Sequence, residues 1–184
     1  LMATGDLVNG EDEIQWLDSL AAQGDSLHVL PKKELKKKLK LMKKNAEKAE
    51  TVDSSDIEMK TLHFHQENVH DFAWFADKNW IVRKGELVLS DSTSNVTLWS
   101  FYLPKNATLW ENSIEYLHDS GYWYSKLYGD YPYNHITAVD GDMSAGGGME
   151  YPNITVISTA GSKDLLEYVI MHEVGHNWFY GILG

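Results

Sequence analysis

MHEVGHNWFYGILG, residues 171–184, places His172 and His176 four positions apart with Glu173 directly after the first. On a helix, residues four apart lie on one face, so both imidazoles can reach a single ion. Glu173 sits one position round the helix. That offset keeps it out of the ligand shell yet near a water on the ion, where a carboxylate serves as general base. The surrounding residues predict a helix over 163–180. Ser162 can cap it, Asp164 and Glu167 suit its electropositive start, and no proline interrupts it. Leu166, Ile170, Val174 and Trp178 form one apolar stripe, flanked by Leu165, Val169, His172 and His176, which predicts a buried helix.

On the pentapeptide alone, a buried helix carrying two hydrogen-bonded histidines for structural reasons is the competing reading. A catalytic zinc site takes three protein ligands and one open position, and the motif supplies two. A metzincin would need Gly three residues after His176 and His three further on. Those places hold Phe179 and Ile182, which excludes that class. His63 and His65 share a strand face and could form a metal pair. Without a carboxylate or cysteine at useful spacing they, and His70, read as exposed strand histidines.

The chain lacks cysteine, which excludes disulfides and thiolate metal sites. Its 184 residues and 43% hydrophobic content suit a globular domain with a real core, and no apolar run is long enough to span a membrane. The formal charge of -11 is uneven. Nine acids and nine lysines cancel in residues 1–50, leaving eighteen acids against seven bases in residues 51–184. Such a surface repels phosphate backbones, so no nucleic-acid partner is expected. It tolerates cationic peptides, though it equally serves general solubility. In KKELKKKLKLMKK (32–44), Leu35, Leu39, Met42 and Ala46 recur at helical spacing, which predicts a solvated amphipathic helix packed on its own domain. The chain starts at Leu1, which reads as a processed or excised piece.

Residues 1–10 read as a short strand ending at the Asn9-Gly10 turn, and residues 11–23 and 32–49 as helices. TVDSSD (51–56) is a polar connector. Residues 60–82 alternate and predict one or two strands, followed by strands over 85–90 and 97–104. Asn106 is a candidate cap for a long helix through Tyr128, GDYPY ends it, and HITAVDG and MEYPNITVIS are strands. This order predicts an α+β fold with helices packed on one mixed sheet.

GGGMEYPN followed by HEVGHNWF resembles the two signature blocks of the gluzincin zinc aminopeptidases, the aminopeptidase N and leukotriene hydrolase group. Gly148, Met149 and Glu150 match the first block; His172, Glu173, His176, Trp178 and Phe179 match the second. VHDFAW and GDYPY are similar to the family as well, in the same order. The resemblance covers residues 60–184 well and residues 1–59 poorly. It departs at Tyr180, where most members have Gly, and at Asn177, where many have Gln.

The resemblance implies a thermolysin-like (gluzincin) upper lobe. Residues 1–59 would be the end of a preceding β-rich domain with a lysine-rich helical insertion, and residues 60–184 the N-terminal part of the catalytic domain. It further implies one zinc ion held by His172 and His176, with Glu173 as general base. Gly147, Gly148, Met149 and Glu150 would bind a peptide substrate, Glu150 through its free α-amino group. A flexible turn for the glycines and a solvated acid at 150 are the competing readings. The family's third ligand, a glutamate nineteen residues past the second histidine, is expected beyond Gly184. The chain would then stop before the helical lobe, be inactive alone, and self-associate through the apolar face left uncovered around Leu166, Ile170 and Trp178. The alternative is a catalytically inactive binding or scaffolding module on the same fold. A thermolysin-type endopeptidase would share the helix but lack the Gly-Met-Glu block.

Overall fold

The β-rich middle of the chain folds because its apolar residues face two ways. The structure, a computed structural model, describes residues 1–49, 60–89, 95–141, 143, 146–158 and 160–183; the connector over 51–56 lies outside them. Strands β5 (Ile81–Val88), β6 (Asn95–Tyr102), β7 (His135–Asp140), β8 (Gly148–Tyr151) and β9 (Ile154–Ile157) form one sheet in the order β5-β6-β7-β9-β8. The β5/β6 and β8/β9 pairs are antiparallel, while β6/β7 and β7/β9 are parallel. Along β6, Val96, Leu98 and Tyr102 enter one core and Trp99 and Phe101 the other, as the two-residue period requires. Central β7 is buried at all six positions, the expected state of a parallel strand covered on both faces.

Two helices, α3 (Ser113–Tyr128) and α4 (Lys163–Gly175), cover the first face through Leu117, Leu166, Ile170 and Val174. Helix α1 (Glu11–His28) covers the second through Leu17 and Ala21. Helix α2 (Lys32–Ala49) packs at its edge, laying Leu35, Leu39 and Met42 against the first core. The fold is therefore α+β with one mixed sheet, as expected. No helix among the described residues is long and apolar enough to cross a membrane.

Several element boundaries differ from the sequence reading. The first ten residues form two short strands, β1 (Met2–Ala3) and β2 (Asp6–Leu7), separated at left-handed Gly5, and they pair with β4 (Trp74–Phe75) and β3 (Phe64–His65). Helix α1 runs five residues past the expected end at residue 23. The strands expected separately over residues 60–82 and 85–90 become β3, β4 and the single strand β5. Asn106 caps no long helix. It ends a 3₁₀ turn at Pro104–Asn106, and its amide donates to both oxygens of the Asp140 carboxylate at 3.0 and 2.9 Å. MEYPNITVIS divides into an antiparallel hairpin because Pro152 cannot donate to a ladder and Asn153 tolerates φ 55°.

Candidate functional site

Helix α4 carries the two histidines and follows directly on β9, so it lies across β8 and β9 and against α3. Its start is fixed as expected: the Ser162 hydroxyl accepts from the Leu165 N–H at 3.2 Å. Its end is earlier than residue 180. After Gly175 the bonding shifts to tighter turns, with Asn177 N–H reaching Val174 O and Trp178 N–H reaching Gly175 O. His172 thus stands in the last turn of the helix and His176 at its cap. Gly175 permits the close packing on α3, since a Cβ there would lie 2.8 Å from the Tyr124 ring.

Trp178 anchors the end of the motif. Its ring is buried between Tyr124 and Tyr131, each 5.3 Å away between centroids, and its indole N–H donates to Gly129 O at 2.8 Å. Leu166, Ile170, Val174 and Trp178 are all covered. The helix is not buried all round, however. Leu165, Tyr168 and Met171 face out, and Met171 lines a shallow cavity with Trp123 and Leu127 of α3.

The two imidazoles meet at their Nε2 atoms, 3.2 Å apart, with ring planes nearly perpendicular. Two nitrogens bound tetrahedrally to one zinc at about 2.0–2.1 Å would stand about 3.4 Å apart, so the pair fits a shared cation. His176 Nδ1 lies 3.1 Å from Phe179 O. A carbonyl only accepts, so Nδ1 carries the proton and Nε2 offers its lone pair when the ring is neutral. Tyr168 stacks on the outer side of His172.

Glu173 turns inward instead and is buried. It fits only because residue 148 has no side chain: a Cβ on Gly148 would stand 2.4 Å from Glu173 Oε1. Burial raises the Glu173 carboxyl to about 7, helped by the neighbouring negative charge of Glu150 and a hydrogen bond with it, while His176 opposes the shift. Its Oε2 is buried without a hydrogen-bond partner among the described residues. A buried unpaired carboxyl oxygen is costly unless something occupies the space before it. Ligand atoms of Glu150, Glu173 and His176 lie within 4.8 Å of one another, a group able to hold a metal ion.

Of the expected substrate-binding residues, Gly148, Met149 and Glu150 are on edge strand β8, and Gly147 precedes it with φ 74°. The Gly147 carbonyl accepts from Ser158 N–H at 2.8 Å. His65 is on β3, 3.8 Å from Glu67, and His63 directly precedes that strand, its carbonyl accepting from Val8 N–H at 2.9 Å. Two residues given no part in the chemistry by the sequence stand beside the site: His70, read as an exposed strand histidine, and Asn177, a departure from the resembling family. His70 packs edge-on against Tyr180 with centroids 4.3 Å apart, and both line a small cavity with Glu150 and His176. Asn177 is buried and ties the site together: its Oδ1 accepts from Asn153 N–H and its Nδ2 donates to Val174 O, each at 3.0 Å. The VHDFAW similarity was the available signal for His70.

No family model matches the chain, and no curated protein matches it. Among solved structures it is similar to Legionella pneumophila aminopeptidase A in complex with aspartic acid, at 13% identity and a TM-score of 0.47. The match covers 54% of this chain and 13% of that one, so the chain spans a small part of that protein's length.

Proposed function

We propose that this chain carries the catalytic core of a zinc-dependent metallopeptidase of the aminopeptidase type, on a thermolysin-like lobe. The observation that carries the reading is the convergence of His172 and His176 Nε2 at 3.2 Å beside the buried Glu173 carboxyl. His172 and His176 would hold the ion. Zinc, when bound there, supplies Lewis-acid polarisation of the scissile carbonyl and makes water easier to deprotonate.

The chain's own residues supply the rest. Glu173 takes a proton from the attacking water and passes it to the leaving amine. A carboxyl lifted toward neutrality by burial is well matched to both transfers. Glu150 pairs with the substrate's α-ammonium and sets which bond reaches Glu173. The β8 edge leaves backbone groups open to an extended substrate, and Gly147 offers no side chain to obstruct it.

The clustering of Glu150 with Glu173 and His176 favours a second reading, in which Glu150 is itself a metal ligand. Calorimetric zinc titration separates the two. Under the first, His172→Ala and His176→Ala each remove zinc binding, while Glu150→Ala and Glu173→Gln retain it. Under the second, Glu150→Ala weakens zinc as well. Zinc affinity unchanged in both histidine variants would overturn the metallopeptidase proposal. In a protein that supplies the third zinc ligand, the aminopeptidase assignment requires hydrolysis of peptides with a free N-terminus and rejection of their N-acetylated forms.

A further inference from the structure

The lysine-rich helix α2 is set apart from the site chemically and spatially. Its nine lysines and two glutamates give it a net +7 in a chain of net -11, so the remainder carries -18. At 3.6 residues per turn, Lys32, Lys36, Lys40 and Lys43 fall along one flank of the Leu35–Leu39–Met42 stripe, while Lys33, Lys37 and Lys44 point away from it. That flank forms one wall of a groove of about 750 Å³, closed on the far side by Lys105 and by Lys163, the first residue of α4. Leu35, Leu39 and Pro104 add apolar lining. Glu111 is the one acid lining it, and it is engaged by Lys163. No ion pair among the described residues reaches Lys32, Lys36, Lys40, Lys43 or Lys105.

We propose that this groove is a docking surface for an acidic peptide segment carrying apolar side chains between its carboxylates. Ammonium groups along both rims neutralise an anionic chain, and the apolar lining accepts the side chains between charges. The four flank lysines span roughly 16 Å of helix, the reach of about five extended residues. A bilayer is a poorer partner because Leu35, Leu39 and Met42 are partly buried against the protein's own core, which leaves enough apolar surface to line a groove but too little to insert. Duplex nucleic acid is poorer too, since its phosphates extend past the groove onto a surface of net -18. The groove is also far larger than a single phosphate requires. It lies at the N-terminal end of α4, with His172 nine residues on, roughly 14 Å along the axis.

The test measures fluorescence anisotropy of a labelled short peptide of glutamates interrupted by leucines, titrated with the whole chain. We expect saturable binding that weakens with added salt. K36E/K40E/K43E should lower affinity on the order of tenfold or more, and K33E/K37E/K44E, with the same change in charge, should leave it within about twofold. K36A/K40A/K43A keeps helix-forming residues and should reproduce the loss if charge reversal disturbs folding. Replacing the peptide's leucines by serine should also weaken it. Equal losses in both charge-reversal variants would replace the groove by a diffuse field and overturn the proposal. So would indifference to leucine, or more effective competition by duplex DNA or by phosphatidylserine vesicles at equal charge.

Discussion

Gly148 and Glu173 occupy one space: the missing side chain of the first is where the carboxylate of the second lies, 2.4 Å from an ideal Cβ. Edge strand β8 and helix α4 are thereby fitted to each other at the proposed general base. Gly148→Ala should displace the Glu173 carboxyl and destabilise the fold by about 1–3 kcal/mol, the usual cost of overpacking. Gly147→Ala meets open space but must hold φ 74°, so it should cost only about 1 kcal/mol and leave Glu173 in place. Chemical denaturation gives both costs. Equal costs would mean that the close approach is absorbed elsewhere.

Acid stability should depend on His135. The ring is buried and neutral, bonded through Nε2–H to Gly5 O at 3.0 Å and through Nδ1 to the Thr137 hydroxyl at 2.9 Å. Burial lowers its pKa to about 4 from an ordinary 6.5. Between those values the unfolded chain binds a proton that the folded chain refuses, so stability falls as pH drops from 6.5 toward 4. The contribution is about 3 kcal/mol over that window. His135→Gln should be less stable at neutral pH yet lose this part of the slope. Parallel pH profiles for the two proteins would place the acid sensitivity in the carboxylates.

The site motif was legible because its spacing and chemistry are local. Ser162, the Leu166–Ile170–Val174 stripe and the facing of His172 and His176 all follow from helical periodicity, which α4 obeys as far as Gly175. What was not legible depends on distant partners. Asn106 has the composition of a helix cap, but its amide is claimed by Asp140 across thirty-four positions. The role of Gly148 appears only when α4 is laid over β8. His70 is exposed as expected but lies outside any strand, and nothing in its own neighbourhood announces its contact with Tyr180, one hundred and ten positions away.

Asn177 should be among the most sensitive positions outside the motif's own three residues. Through Asn153 it is linked to Gly5 N–H and Gln66, so one amide helps join the α4 end, the β8/β9 hairpin and the N-terminal strands. Asn177→Ala leaves the buried Asn153 N–H without its acceptor. The expected cost is about 2–3 kcal/mol, the penalty for an unsatisfied buried donor plus the bond lost to Val174 O. In urea the midpoint should fall with an unchanged slope. A loss under about 0.5 kcal/mol would show that water or a neighbour replaces the amide.

Tyr180 holds φ 128°, a conformation that side chains disfavour, in the turn immediately after the motif. Its N–H donates to Leu183 O, and the following Gly181 N–H donates to His176 O at 2.9 Å, so the strained residue is part of the wrap around the second histidine. Backbone strain of this kind costs on the order of 1–3 kcal/mol. The compensation in view is the edge-on contact with His70, worth less because Tyr180 is half exposed. Tyr180→Gly should relieve the strain and raise stability by about 1 kcal/mol despite losing the ring. Tyr180→Ala keeps the strain and loses the ring, so it should destabilise by about 0.5–1 kcal/mol. Thermal unfolding of the pair decides between backbone and ring. If the glycine variant melts below the alanine variant, the conformation at 180 is no burden.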